Sequence, residues 1–220
     1  MNFAAWYTYD ASGKPTWYVM SSCPMVDKAC AGDIYEVKGG TPLGVAWKGG
    51  LAVTKVGTGT LAFTDTEVGA FNYTLNGVSG SRNIARQPIT TPLDSWNMDY
   101  SALWYAAPAE SEAGWGIAFT HQKGVIFATM FTYDASGNPV WYVASNCVLT
   151  GNTCAGDLYH VTGGTAPTVT WAGKPAATSI GNIRVRFNIN ADGLSSDQGG
   201  TMDYTINGVS GSKAITKQLF

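Results

Sequence analysis

The sequence predicts an all-β chain made by internal duplication, as tandem antiparallel up-and-down barrels or sandwiches. Three observations carry this expectation. The stretch Tyr7-Thr8-Tyr9-Asp10-Ala11-Ser12-Gly13-Lys14-Pro15-Thr16-Trp17-Tyr18-Val19 returns as Phe131-Thr132-Tyr133-Asp134-Ala135-Ser136-Gly137-Asn138-Pro139-Val140-Trp141-Tyr142-Val143, with ten of thirteen positions identical. Turn signals recur about every eight to twelve residues, with no sustained helical period. Charged residues make up only 13% of the chain, against about 25% in ordinary domains. Gly, Thr, Ser and Asn replace them, as suits strands and turns.

The elements follow in order. In the duplicated stretch, aromatic and β-branched residues flank an Asp-Ala-Ser-Gly-Lys/Asn-Pro cluster, which reads as two strands joined by a turn. Ala31-Gly32-Asp33-Ile34-Tyr35 then matches Ala155-Gly156-Asp157-Leu158-Tyr159, Gly39-Gly40 matches Gly163-Gly164, and Val45-Ala46-Trp47 matches Val169-Thr170-Trp171. The offset is 124 (Trp141 minus Trp17) as far as Phe63 and Phe187, and 131 by Tyr204 minus Tyr73. Seven extra residues are therefore expected within Ala191–Gly200. Asn76-Gly77 and Asn207-Gly208 are two-residue hairpin signals. Neighbouring strands joined by tight turns are antiparallel, and a meander is the simplest topology.

The second copy has additional strands at its start, Leu103–Pro108 and Glu112–Gln122. The chain divides as residues 1–93, a repeat lacking its first one or two strands, and 94–220, a repeat with leading strands over 101–122. The open edge of the first repeat is expected to be covered by the Thr90–Tyr100 region, by the second repeat, or by another chain in a homodimer.

Four cysteines form two copies of one spacing, Cys23 to Cys30 and Cys147 to Cys154. Six intervening residues rich in turn formers suit a disulfide across the mouth of a hairpin loop, whereas zinc sites use shorter spacing with added His. Disulfides point to an oxidising compartment, hence to a secreted, periplasmic or cell-surface protein. The N-terminal residues lack signal-peptide zones, so a leader is expected to be missing from this chain. A net charge of −2 gives no reason to expect nucleic acid. No apolar run reaches the roughly 20 residues of a spanning helix.

The segments Leu103-Trp104-Tyr105, Pro108-Ala109-Glu110-Ser111, Gly114-Trp115-Gly116-Ile117 and Thr120-His121-Gln122, with Ile126-Phe127-Ala128-Thr129 and the closing Ala214-Ile215-Thr216-Lys217-Gln218-Leu219-Phe220, resemble a tandem aromatic-rich repeat of exported proteobacterial proteins. The resemblance covers nearly all of the second copy and most of the first. Ala113 and the shorter first copy depart from the pattern. It implies an all-β, secreted or envelope-associated module and transfers no catalytic residue.

Two histidines occur. Trp115, Ile117, Phe119 and His121 share one strand face, so His121 ends an apolar stripe, either as a rim residue or as a general base. No Gly-x-Ser-x-Gly elbow accompanies it. His160 stands where the first copy has Glu36, which reads as a solvated strand position. Asp94, Asp99, Glu110 and Glu112 are weak candidate ligands for Ca²⁺, with a solvated linker as the plainer reading; no cofactor is otherwise expected. Asp10 and Asp134 read as turn residues bonding their own backbone. Arg82-Asn83-Ile84-Ala85-Arg86 and Lys213-Ala214-Ile215-Thr216-Lys217 each set two cations beside an Ile, to steer an anion or to cover apolar surface.

Eight Trp and eleven Tyr make the aromatics the main functional candidates. Trp17, Tyr18, Trp141 and Tyr142 present a ring to each side of their strand, and Trp104 and Trp115 join them as candidate ligand-binding residues. The expected function is a binding or surface module for a carbohydrate or a small, partly apolar molecule. The alternatives are an esterase- or lactonase-type hydrolase, Ca²⁺-dependent or not, with His121 as base, and a structural repeat whose edges mediate assembly.

Overall fold

The computed structural model describes residues 2–89, 99–191 and 195–219. In the first repeat, strands run as β1 (Asn2–Tyr9), β2 (Pro15–Cys23), β3 (Met25–Val26), β4 (Ala29–Lys38), β5 (Ala52–Phe63), β6 (Val68–Leu75) and β7 (Val78–Ala85). The second comprises β8 (Ala102–Ala106), β9 (Gly116–Gln122), β10 (Val125–Tyr133), β11 (Pro139–Thr150), β12 (Thr153–Thr162), β13 (Ala176–Ile189), β14 (Ser195–Ile206) and β15 (Val209–Lys217). No helix occurs among the described residues, so none there is long and apolar enough to cross a membrane. The expected repeat boundary at 93–94 lies outside the described residues.

β8 to β15 form a closed barrel of consecutive antiparallel neighbours, sealed where β15 pairs with β8. β1-β2-β4-β5-β6-β7 form the matching sheet, with β3 on β4, but this sheet stays open. The difference is the β8–β9 pair, which in the barrel lies between β15 and β10. β1 and β7 pair on one side only among the described residues, which hold no counterpart of β8 and β9 in the first repeat. The copies share their irregularities: the register shifts at Ile34/Tyr35 and at Leu158/Tyr159, bulges at equivalent positions that help to curl each sheet. Phe63 pairs with Gly69, whereas Phe187 pairs with Gly200. The extra residues therefore lie between Phe187 and Gly200, where most of them lengthen β13 and β14 relative to β5 and β6.

Both disulfides form, Cys23–Cys30 and Cys147–Cys154, with Cα atoms 5.2 and 5.3 Å apart. Each closes a short loop, and loop-closure entropy makes each worth about 2.5 kcal/mol.

Alternation sends one ring of each Trp-Tyr pair into its own sheet and the other into a seam between the repeats. Trp17 packs on Phe131 and Tyr133, with ring centroids 5.1 and 5.7 Å apart. Trp141 packs reciprocally on Tyr7 and Tyr9, at 6.3 and 5.6 Å. The Trp17 indole donates to the Thr132 carbonyl at 3.1 Å, and the Trp141 indole to the Thr8 carbonyl at 2.9 Å. Gly39 N–H donates to Gly137 O, and Gly163 N–H to Gly13 O, both at 2.8 Å. Each of these contacts has its mate at an offset of 124, so the duplication behaves as an intramolecular dimer. Gly40 and Gly164 are glycines for a packing reason: a Cβ on either would enter the ring of Tyr133 or Tyr9.

The loops after β4 and β12 are exchanged across this seam. Trp47 donates its indole N–H to Ala113 O at 3.1 Å, and Leu43 packs against the barrel core. In return, Pro167 O accepts from the Tyr73 hydroxyl at 2.7 Å.

Candidate functional site

Among the described residues, no strand covers the concave apolar face of the open sheet. A cavity of about 310 Å³ lies there, lined by Ala4 and Trp6 of β1, Tyr18 and Met20 of β2, Ile34 of β4, Leu61 of β5, Phe71 of β6, and Arg82 and Ile84 of β7. Period-two alternation puts these residues on one face, and curvature turns that face into a trough. Trp6 is the hub: its ring lies 4.9 Å from Phe71, 4.8 Å from Tyr73 and 5.9 Å from Tyr18. In the closed barrel, Trp104, Ile117 and Phe119 of β8 and β9 fill the equivalent space. Phe187 measures the difference. It is 1% exposed beneath Tyr100, Trp104 and Phe119, while its counterpart Phe63 is 37% exposed.

The trough is not simply a barrel interior laid open. Trp6 stands where the barrel has Met130, and Phe71 where it has Met202. These rings supply some of the apolar bulk that β8 and β9 supply in the barrel. What remains is at the small end of the roughly 300–1,000 Å³ range of ligand pockets.

The six aromatic residues singled out from sequence are dispersed. Tyr18 alone among them lines the trough. Trp17 and Trp141 are buried in the seam, and Tyr142 and Trp104 in the barrel core. Trp115 is buried in the same core, its indole donating to Glu112 Oε2 at 2.9 Å. None of the six offers a flat exposed face, because neighbouring side chains bury each of them to 9% exposure or less. Trp6 and Phe71 were missed. The signal was a position-by-position comparison of the copies, which shows the first turning aromatic where the second has Met.

His121 follows the expected stripe with Trp115, Ile117 and Phe119, and all four are buried. Rather than opening to a rim, its Nδ1 accepts the Tyr100 N–H at 3.5 Å, and its ring lies 5.5 Å from that of Tyr100. His160 is half-buried rather than solvated, edge-on to Tyr142 at 5.5 Å, and burial lowers its pKa. It lines a polar cleft of about 540 Å³ along the seam with Asp10, Lys14, Glu36 and Asp134. The carboxylates there are engaged locally. Asp10 accepts from the Ser12 and Lys14 amides, Asp134 from those of Ser136 and Asn138, and Glu36 pairs with Lys38 at 2.9 Å. Burial opposes ionisation of both aspartates, but these hydrogen bonds outweigh it and hold both below the usual carboxylate range.

Of the acidic candidates, Asp94 lies outside the described residues. Asp99 accepts the Ser101 amide at 2.8 Å, Glu110 occupies a turn with φ of 67°, and Glu112 pairs with Lys213 at 2.7 Å. Among the described residues no three His, Cys, Asp or Glu side chains group as metal ligands. Comparison of the chain with protein-family models, curated proteins and solved structures finds no match in any of the three.

Proposed function

We propose that the protein is a ligand-binding module whose site is the open trough of the first repeat, and that its ligand is a small, partly apolar molecule. The observation that carries this is the apolar cavity around Trp6, Tyr18, Leu61 and Phe71, left in the one repeat whose sheet does not close. Barrel mouths and interiors of this size hold a single small ligand. A carbohydrate suits the lining less well, since its hydroxyls would be desolvated without partners. Two disulfides are compatible with an oxidising compartment, which supports an exported setting.

The test is a panel of small aromatic and aliphatic compounds, read by melting temperature and tryptophan emission. A Leu61→Trp variant, which fills the trough, is run beside the wild type. Compounds that stabilise the wild type but not the variant support the reading; silence across the panel counts against it. A second reading rests on a different observation, the one-sided pairing of β1 and β7. Such edges can add a strand from another chain, as an assembly module would. Monodisperse monomers at high concentration in sedimentation velocity speak against that role.

A further inference from the structure

The closed barrel provides an internal comparison for the trough. At the offset of 131, Arg82 of β7 corresponds to Lys213 of β15. Arg82 lies opposite Phe71 just as Lys213 lies opposite Met202. In the barrel, the connection between β8 and β9 brings Glu112 onto Lys213, with Nζ 2.7 and 2.8 Å from the two carboxylate oxygens. The β8–β9 unit thus delivers two things to the second repeat: an apolar body made by Trp104, Ile117 and Phe119, and a carboxylate on the cation. The first repeat keeps the apolar wall and the cation, but Arg82 has no ion-pair partner among the described residues. Its guanidinium is nonetheless positioned. Nη2 donates to Pro167 O at 3.2 Å and Nη1 to Ser81 O at 2.8 Å. The same Pro167 carbonyl is held by Tyr73, so a loop of the second repeat fixes the cation at the wall of the trough. An Arg held this way retains N–H groups for an anion, and a planar fork matches a carboxylate.

From this correspondence we infer that the trough takes an amphiphilic carboxylate: an apolar, preferably aromatic body against Trp6, Phe71 and Leu61, with its carboxylate on Arg82. The inference rests on the binding role proposed for the trough and specifies its ligand class. Glu112 and Lys213 are the intramolecular precedent for the charge pair, and Trp104 and Phe119 for the body.

The experiment is calorimetric titration of the full chain with 4-phenylbutanoate and with 4-phenylbutan-1-ol, which share a skeleton and differ in charge. Arg82 is exposed, so the expected preference is that of a partly solvated ion pair: the acid binds about fivefold tighter than the alcohol at low salt. Salt near 1 M should abolish that preference. Arg82→Met should bind both compounds equally, and Arg82→Lys, which restores the barrel's own cation, should keep the preference. Equal binding of the two compounds by the wild type, or a preference that survives in Arg82→Met, overturns the inference and leaves the apolar site standing. No binding of either compound overturns both. If Arg82→Met does not fold, the acid-to-alcohol ratio of the wild type across salt and the Arg82→Lys result still decide.

Discussion

Phe187 and Phe63 are the same residue at equivalent positions of two copies, so truncating each to Ala measures closure directly. Phe187 is 1% exposed and stacks on Tyr100 at 3.7 Å, with Trp104 and Phe119 at 5.3 and 5.8 Å. Removing it deletes a fully buried ring and leaves a cavity walled by three aromatics, a loss of about 4–5 kcal/mol, near the top of the range for such changes. Phe63 is 37% exposed, and β8 and β9, which carry Trp104 and Phe119, have no counterpart over it among the described residues. Its truncation forfeits part of a transfer term and leaves a dent open to water instead of a void, about 1–2 kcal/mol. The assay is urea denaturation followed by far-ultraviolet dichroism, with each variant fitted against the wild type. Separate transitions for the two repeats would assign each loss to its own unit. Equal losses at the two sites would refute the reasoning, because Phe63 would then have to be as well covered in solution as Phe187.

Two further outcomes are expected. The Tyr7 hydroxyl is buried in the seam with no hydrogen-bond partner among the described residues, and burial raises its pKa. Tyr7→Phe should therefore stabilise the protein, by about 1 kcal/mol, as read by denaturation midpoint; a destabilised variant would mean that the hydroxyl is hydrogen-bonded. Asp10 and Asp134 have folded pKa values below the ordinary 3.8, so their contribution is present above that value and lost as pH falls through the lower, folded one. The melting temperature should drop more steeply below about pH 4 in the wild type than in an Asp10→Asn/Asp134→Asn variant; parallel curves would remove these carboxylates from the acid response.

Much of the architecture was legible because it is encoded locally. Hairpins follow from turn chemistry, the meander from short connections, and the disulfides from a spacing that suits a hairpin mouth. Inward and outward faces follow from period-two alternation, which is why Trp115, Ile117, Phe119 and His121 share a face as expected. The site was less legible. Trp17 and Trp141 are sequence-equivalent to each other, conspicuous, and close to a polar turn, yet they are buried in a seam made by strands more than a hundred residues apart. No local pattern tells a ring facing a ligand from one facing a second copy of its own repeat.

The sequence by itself determined the duplication, its offset of 124 growing to 131, the strand succession and the cysteine pairs, since each depends on residues close together in the chain. Only the tertiary structure decided that one sheet closes while the other stays open, that loops exchange across the seam, and that Trp6 and Phe71 line a trough. It also decided the charge pattern of that trough. Lys213 meets Glu112 across 101 positions of sequence, while Arg82 is held by a carbonyl of the opposite repeat. Such contacts form only when the curled sheets bring distant segments within hydrogen-bonding distance, and period-two alternation carries no information about which segments those will be.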